Sequence, residues 1–389
     1  NAYNVGVGYN AGGAITTGTA NTAIGGLALD AETVGARNVA VGYAALSDQV
    51  SSSGTGTYNT AVGHVAGENI TSGIQNTIIG GLAGDALTDA DFNVAVGTAA
   101  LGTDTLGSRT TALGYGALAV QNFTTATNSN NVAVGYYAGV SVTTGTNNTI
   151  VGGLAGDAIT TATSCTVMGT GALSALQTGN SNTAVGFEAG KNFDGVANNT
   201  VVGASALDGA CGGNNSVLGI SAMGSSNSTD ASFNTCIGSA AGFEITSGAN
   251  NLALGKDALR SGSPGGPAST DNNVIGLGDE NIASLHCQVA LTVSSDQRDK
   301  TDFVGLDLGL DFVKALEPVT YYWDKRAKYL NRNNEDGTPN EDYDLDTATP
   351  DGTHKEDWMD VGFKAQSVQA LEEASGYTAA AKKNLTVSV

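Results

Sequence analysis

Proline is absent from residues 1–263, and only five occur in all 389 residues. Aromatic residues make up 6% of the chain, too few for the core of an ordinary enzyme this long. Basic residues are also scarce: 16 Lys and Arg stand against 37 Asp and Glu, a net charge of −21. An acidic surface of that size repels a phosphate backbone and excludes nucleic acid as a partner. No apolar run reaches the 18 or so residues of a membrane span, so no membrane insertion is expected. The three histidines, His64, His286 and His354, show no metal-ligand spacing. Cys165, Cys211, Cys236 and Cys287 form no CxxC pair and read as free thiols of a reducing compartment. Asp342, Asp344 and Asp346 alternate in an acidic stretch but lack the glycine and final glutamate of a calcium loop, which leaves a solvated loop. No metal and no cofactor is expected. The chain starts on Asn rather than Met, the mark of a processed or partial chain.

What the chain has in excess is glycine, 55 residues, within a composition 41% hydrophobic and therefore not disordered. The two ends differ. Residues 1–294 hold 5 Lys and Arg and 18 Asp and Glu, whereas residues 295–389 hold 11 and 19, with both tryptophans, Trp323 and Trp358. The break begins at the turn-rich stretch Ser261-Gly262-Ser263-Pro264-Gly265-Gly266-Pro267.

Before that break one phrase repeats, Asn-x-Ala-Val-Gly in its commonest form. Sixteen copies end on glycines from Gly8 to Gly276. The commonest step is 17, as from Gly25 to Gly42, with steps of 21 at 42 to 63, 114 to 135 and 255 to 276. The block Gly63 to Gly114 returns as Gly135 to Gly186, so a longer period lies over the short one. Asn stands four before the glycine in 14 copies, with Thr110 and Cys165 as exceptions. Val, Ile, Leu or Met always stands one before it, and Ala three after it in 15 copies. The next position is usually Leu, Met or Gly, as at Leu46, Gly67, Leu101 and Met223.

Three or four small and β-branched residues between Asn and Gly make a strand with turns at both ends. Strands so short are stable only when stacked, and a fixed period then means one coil per repeat. The expectation is a mainly β protein: a parallel β-roll or β-helix shaft of about 16 coils over 1–276, roughly 75 Å long. Asn suits either a bond to its own backbone in the turn or a ladder along the stack, and Ala a close approach of backbones. A coil this thin, with an interior of Val, Ile and Ala, predicts chains that share one core; that they form a homotrimer is what the resemblance given next implies. The variable position after the glycine carries Tyr9, Tyr43, His64, Tyr115, Tyr136 and Phe187, a candidate stripe for stacking on sugars. Without paired carboxylates in a cleft, no glycosidase is expected in the shaft.

These repeats resemble the heads of trimeric autotransporter adhesins and, more closely, the glycine-rich shafts of phage tail fibres, whose fold is a trimeric left-handed β-roll. After a junction at 277–294 come three further phrases. They are Ser295-Asp296-Gln297-Arg298-Asp299-Lys300, then Leu316-Glu317-Pro318-Val319-Thr320-Tyr321-Tyr322-Trp323, then Gly362-Phe363-Lys364-Ala365-Gln366. In this order they resemble the intramolecular chaperone of endosialidases, a small α+β domain placed here at 295–389. The resemblance implies that the domain drives trimer assembly and then releases itself. It implies Ser295 as nucleophile, Lys300 as its base, Asp296 and Arg298 as supporting residues, and Ser294–Ser295 as the scissile bond. A serine hydroxyl needs such a base, and a lysine serves only when desolvated and neutral. The family's long C-terminal helix is missing before Val389.

The function so implied is a virion tail fibre or tailspike for host attachment, assembled in the host cytoplasm. Its partners are two further copies, other tail proteins and a host-surface glycan or protein receptor. Its one enzymatic act is a single self-cleavage. The alternatives are a bacterial trimeric surface adhesin with an uncleaved cap, and a depolymerase whose catalytic module lies outside this chain.

Overall fold

Each repeat phrase becomes one three-residue strand, and the strands stack into a single parallel sheet of sixteen, in chain order from Val5–Val7 to Ile275–Leu277. The computed structural model describes residues 2–52, 56–282, 284–285, 309–324, 329, 349–355, 357 and 359–374. Sixteen strands delimit fifteen full turns of a parallel β-solenoid. The chain divides into a unit of residues 1–286, which holds the solenoid, and a unit of residues 287–389.

Pairing keeps like residues level. Val132, Ala133 and Val134 lie beside Thr149, Ile150 and Val151, which lie beside Thr166, Val167 and Met168. The middle residue of each strand from Thr22–Ile24 to Leu252–Leu254 points inward and is buried, as at Ala40, Ile78, Val167 and Cys236. Outside the strands, turn backbones also bond from coil to coil: Gly139 N donates to Ala155 O and Leu154 N to Tyr136 O.

Two columns need their small residue. The repeat glycines sit at positive φ, as at Gly135 (φ 141), and a Cβ there would lie 2.5 Å from the carbonyl oxygen of Gly152 in the next coil. The alanines three positions on, such as Ala117 and Ala155, are fully buried against their neighbours. A larger side chain in either column would push coils apart.

The rest of the interior is filled by a trade between two positions. Where the residue four after the repeat glycine is itself glycine, the one three further on is large and apolar. Gly84 goes with Leu87, Gly156 with Ile159, and Gly190 with Phe193. A Cβ on Gly156 would lie 2.8 Å from Ile159 Cδ1. Where Leu takes the first position, the second is polar or small: Leu29, Leu46, Leu101 and Leu118 go with Glu32, Gln49, Asp104 and Gln121, and Leu207 and Leu259 with Ala210 and Gly262. One coil has room for one large side chain there, with Leu173 and Leu176 the exception.

The last turn corrects the phrase read at Gly276. Gly276 pairs with Ala253, so it occupies the inward column, and Leu277 pairs with Leu254. Gly278 is the rung glycine, its N–H donating to Leu254 O. The final step is therefore 23 residues rather than 21, the same separation that the Asn251–Val274 bond spans. The side chain of Leu259 occupies the space that a Cβ on Gly276 would need. The interior also differs from the expectation in one respect. It draws on Ala, Ile, Val, Leu and Phe from four columns, while the Val, Ile, Leu or Met before each glycine faces outward.

In the second unit, helix α1 (Gly309–Ala315) leads to the strand Pro318–Tyr321, which pairs antiparallel with Asp360–Phe363, and helix α2 (Ala365–Ala374) follows. No described helix is long and apolar enough to cross a membrane.

Candidate functional site

The buried asparagines build the first arrangement. Asn131 Oδ1 accepts the N–H of Asn148 at 2.9 Å, and Asn148 Oδ1 accepts the N–H of Cys165 at 2.9 Å. Asn148 Nδ2 donates to Ala162 O at 2.9 Å. Each asparagine therefore satisfies backbone groups of neighbouring coils, which makes the ladder, rather than a bond within its own turn, the main use of the column. Cys165 replaces the amide in kind: its thiol reaches Gly179 O at 3.5 Å, the carbonyl an asparagine there would bind.

Thr110, the other exception, belongs to a second device that the sequence reading missed. Glu32 is fully buried. Its Oε1 accepts N–H groups of Thr33, Val34 and Gly35, while Oε2 accepts Gln49 Nε2 at 2.9 Å and Ser51 Oγ at 2.6 Å. Gln49 Oε1 then accepts from Asn59 at 2.9 Å. One longer period further along, buried Asp104 accepts Gly107 N, Phe123 N and Gln121 Nε2, and Gln121 Oε1 accepts from Asn131 at 2.8 Å. Thr57 Oγ donates to Asn38 Oδ1 in the first copy; Thr110 and Ser129 hydroxyls meet at 2.6 Å in the second. Both clamps anchor the coils that carry four extra residues. An acid and a glutamine in a column otherwise apolar or small, recurring with the longer period, were the available signal.

Burial is the largest influence on the Glu32 carboxyl and raises it, but hydrogen bonds from Ser51, Gly35 and Gln49 together outweigh it and hold the group below its usual value. The thiols of Cys211 and Cys236 are pushed up to about 12 by burial, which leaves them unreactive. Cys165, Cys211 and Cys236 are free.

The aromatic column forms stacks rather than open platforms. Tyr43 and His64 lie with centroids 5.5 Å apart, and Tyr115 and Tyr136 at 5.7 Å, with Tyr137 edge-on to both. These rings cover faces that a sugar would need. Tyr9 and Phe187 are exposed singly.

In the second unit the structure joins two of the three phrases. Pro318 lies opposite Phe363 and Tyr321 opposite Asp360, so segments far apart in the chain make one β-ladder. Trp323 Nε1 donates to Asp360 Oδ2 at 2.8 Å, and the Trp323 ring meets Tyr321 edge-on. Asp324 accepts Tyr329 Oη at 2.8 Å and Gly352 N at 2.8 Å. Tyr329 Oη accepts His354 N in turn. A cavity of about 350 Å³ lies where Leu316 and Phe363 face Val368 and Leu371 of α2.

The residues assigned to self-cleavage, Ser294, Ser295, Asp296, Arg298 and Lys300, lie outside the described residues, as do Asp342, Asp344 and Asp346. Among the described residues no cluster of His, Cys, Asp and Glu could hold a metal. Residues 295–377 match the family of the chaperone of endosialidase. The paired phrases are thus two ends of one chaperone domain, and Ser295 is the first residue of the match. No curated protein matches the chain, and no solved structure does.

Proposed function

We propose that the chain is the shaft and C-terminal folding domain of a phage tail fibre or tailspike, working as a homotrimer in host attachment. The observation that carries this reading is the chaperone match at 295–377 directly after a fifteen-turn β-solenoid. The solenoid is a spacer: its interior is closed by side chains, and its polar interior groups are spent on backbone. The receptor is a glycan or protein of the host surface, met together with other tail proteins. The buried free thiols fit assembly in a reducing host cytoplasm before release.

The chaperone domain aligns three chains and then leaves. Ser295 Oγ attacks the carbonyl carbon of Ser294 while Lys300 takes the hydroxyl proton. The peptide bond is exchanged for an ester, the Ser295 amine leaves with a proton, and water hydrolyses the ester to a carboxylate at Ser294. Asp296 and Arg298 hold the geometry.

The test is the denatured mass of freshly expressed wild-type chain beside Ser295→Ala. A break between 294 and 295 in the wild type only is the expected result. A chain that stays whole after full trimerisation overturns self-cleavage, and the domain is then a permanent cap, as in the surface-adhesin alternative.

A further inference from the structure

The outer face of the solenoid sheet is formed by the first and third residues of each strand. The third column runs from Val7 to Leu277 as Val, Ile, Leu or Met at all sixteen rungs. Within it Met168 is 44% exposed and Leu218 is 49% exposed. The first column holds Thr, Val, Ser, Leu or Ile. Neither column contains one charged residue, in a chain of net charge −21.

Strand propensity alone does not produce this. Thr serves a solvent-facing strand position as well as Val, and the first column uses it freely. The third column never does. An unbroken apolar strip in water is a liability unless something covers it. The charged side chains of the shaft are placed elsewhere on the coil, as at Asp85, Asp157 and Asp208.

The pitch identifies the cover. Apolar side chains recur once per coil, about 4.8 Å apart, over about 72 Å. A rod with the same repeat meets every rung, and the three-fold symmetry of a homotrimer about an axis along the rods makes them parallel. Rung steps of 16, 19, 21 and 23 residues leave strand pairing unbroken, because the extra or missing residues fall in the turns. With strands about 10 Å long, the strip measures roughly 700 Å² per chain, near the ~800 Å² per partner of a stable interface.

We infer that copies of this chain pack on one another through the outer sheet face, along the Val7–Leu277 column, parallel and in register. The inference rests on the homotrimer reading above and assigns it a face. The aromatic stacks after the glycines and the turn columns stay outside the central contact.

The test compares full-length chains by light scattering. The face variant carries Met168→Glu and Leu218→Glu; the control carries Thr161→Glu and Thr178→Glu in exposed turns. A trimeric wild type and control with a face variant of one-third the mass is the expected result. Met168→Cys, a neutral change, is treated beside the wild type with a short thiol-to-thiol crosslinker, and covalent dimers and trimers above background are expected. Should the face variant unfold by circular dichroism, the crosslinking result decides. A trimeric wild type whose face variant keeps its mass, with no Met168→Cys crosslink, overturns the assigned face and leaves the trimer standing. A monomeric wild type overturns the trimer itself.

Discussion

The shaft and the chaperone domain solve the problem of chain pairing at opposite ranges. In the shaft, a strand pairs with the next strand 16 to 23 residues away, and every rung reuses the same contacts. In the second unit, the described sheet pairs residues 318–321 with residues 360–363, about 40 positions further on, and Asp324 accepts the N–H of Gly352. Near-identical rungs are easy to add but easy to misalign between chains, since a slip of one coil matches almost every side chain. A non-repeating domain has one register only. In the proposed trimer, this physical difference gives the repetitive solenoid a use for a non-repetitive chaperone domain.

The comparison can be broken most forcefully at a rung glycine. Gly135→Val places a side chain at φ 141 and against the Gly152 carbonyl. A cost of about 4 kcal/mol is expected, from strain plus overpacking. Hydrogen exchange should show amides on both sides of residue 135 opening while those of residues 318–321 stay unchanged.

The volume trade gives the next test. Ile159→Ala should cost about 3 kcal/mol and Gly156→Leu about 2 kcal/mol in denaturant unfolding. The double variant should cost less than the sum, because Leu in the first position fills the space that Ile159 leaves. Strict additivity would refute the trade.

Glu32→Ala orphans side-chain donors from Gln49 and Ser51 and four backbone N–H groups and should cost about 3 kcal/mol locally. The sign with pH follows from a carboxyl held below its unfolded value. Its contribution is complete above the ordinary carboxylate range and is lost as pH falls through the lower folded value. Protection of amides 33–35 should drop with acid in the wild type and be insensitive to it in the variant.

Asn148→Ala removes one ladder rung and should cost about 2 kcal/mol, leaving Cys165 N and Ala162 O without their partner. The smallest shaft effect belongs to Asp324→Ala, which removes the acceptor of the Gly352 N–H in the second unit. The midpoint of shaft unfolding should not move, while exchange at Gly352 rises. A shift of the shaft midpoint would show that the two units fold as one.

Much of the shaft was legible because a solenoid repeats its physics. Asn, Ala and Gly columns appear in the letters because each coil imposes the same close approach and the same unpaired backbone groups. Gly276 misled because its phrase fits the pattern locally; the choice of Gly278 is made by pairing with Leu252–Leu254 and by Leu259 filling the space beside Gly276. The acid clamps were hidden because each acid and its glutamine, Glu32 with Gln49 and Asp104 with Gln121, stand 17 residues apart and meet only when the coils stack. The chaperone phrases were recognisable in order, yet only folding shows that two of them face each other.

The period of the repeat, and with it the strand and the turn, is a property of the sequence alone, since positive φ at Gly and the β-branched residues between Asn and Gly act within one repeat. Tertiary structure decided which apolar residues are core and which are surface. Inside and outside exist only once the coil closes, and closure turned the Ala and Ile column inward and left the Val, Ile, Leu and Met column facing out.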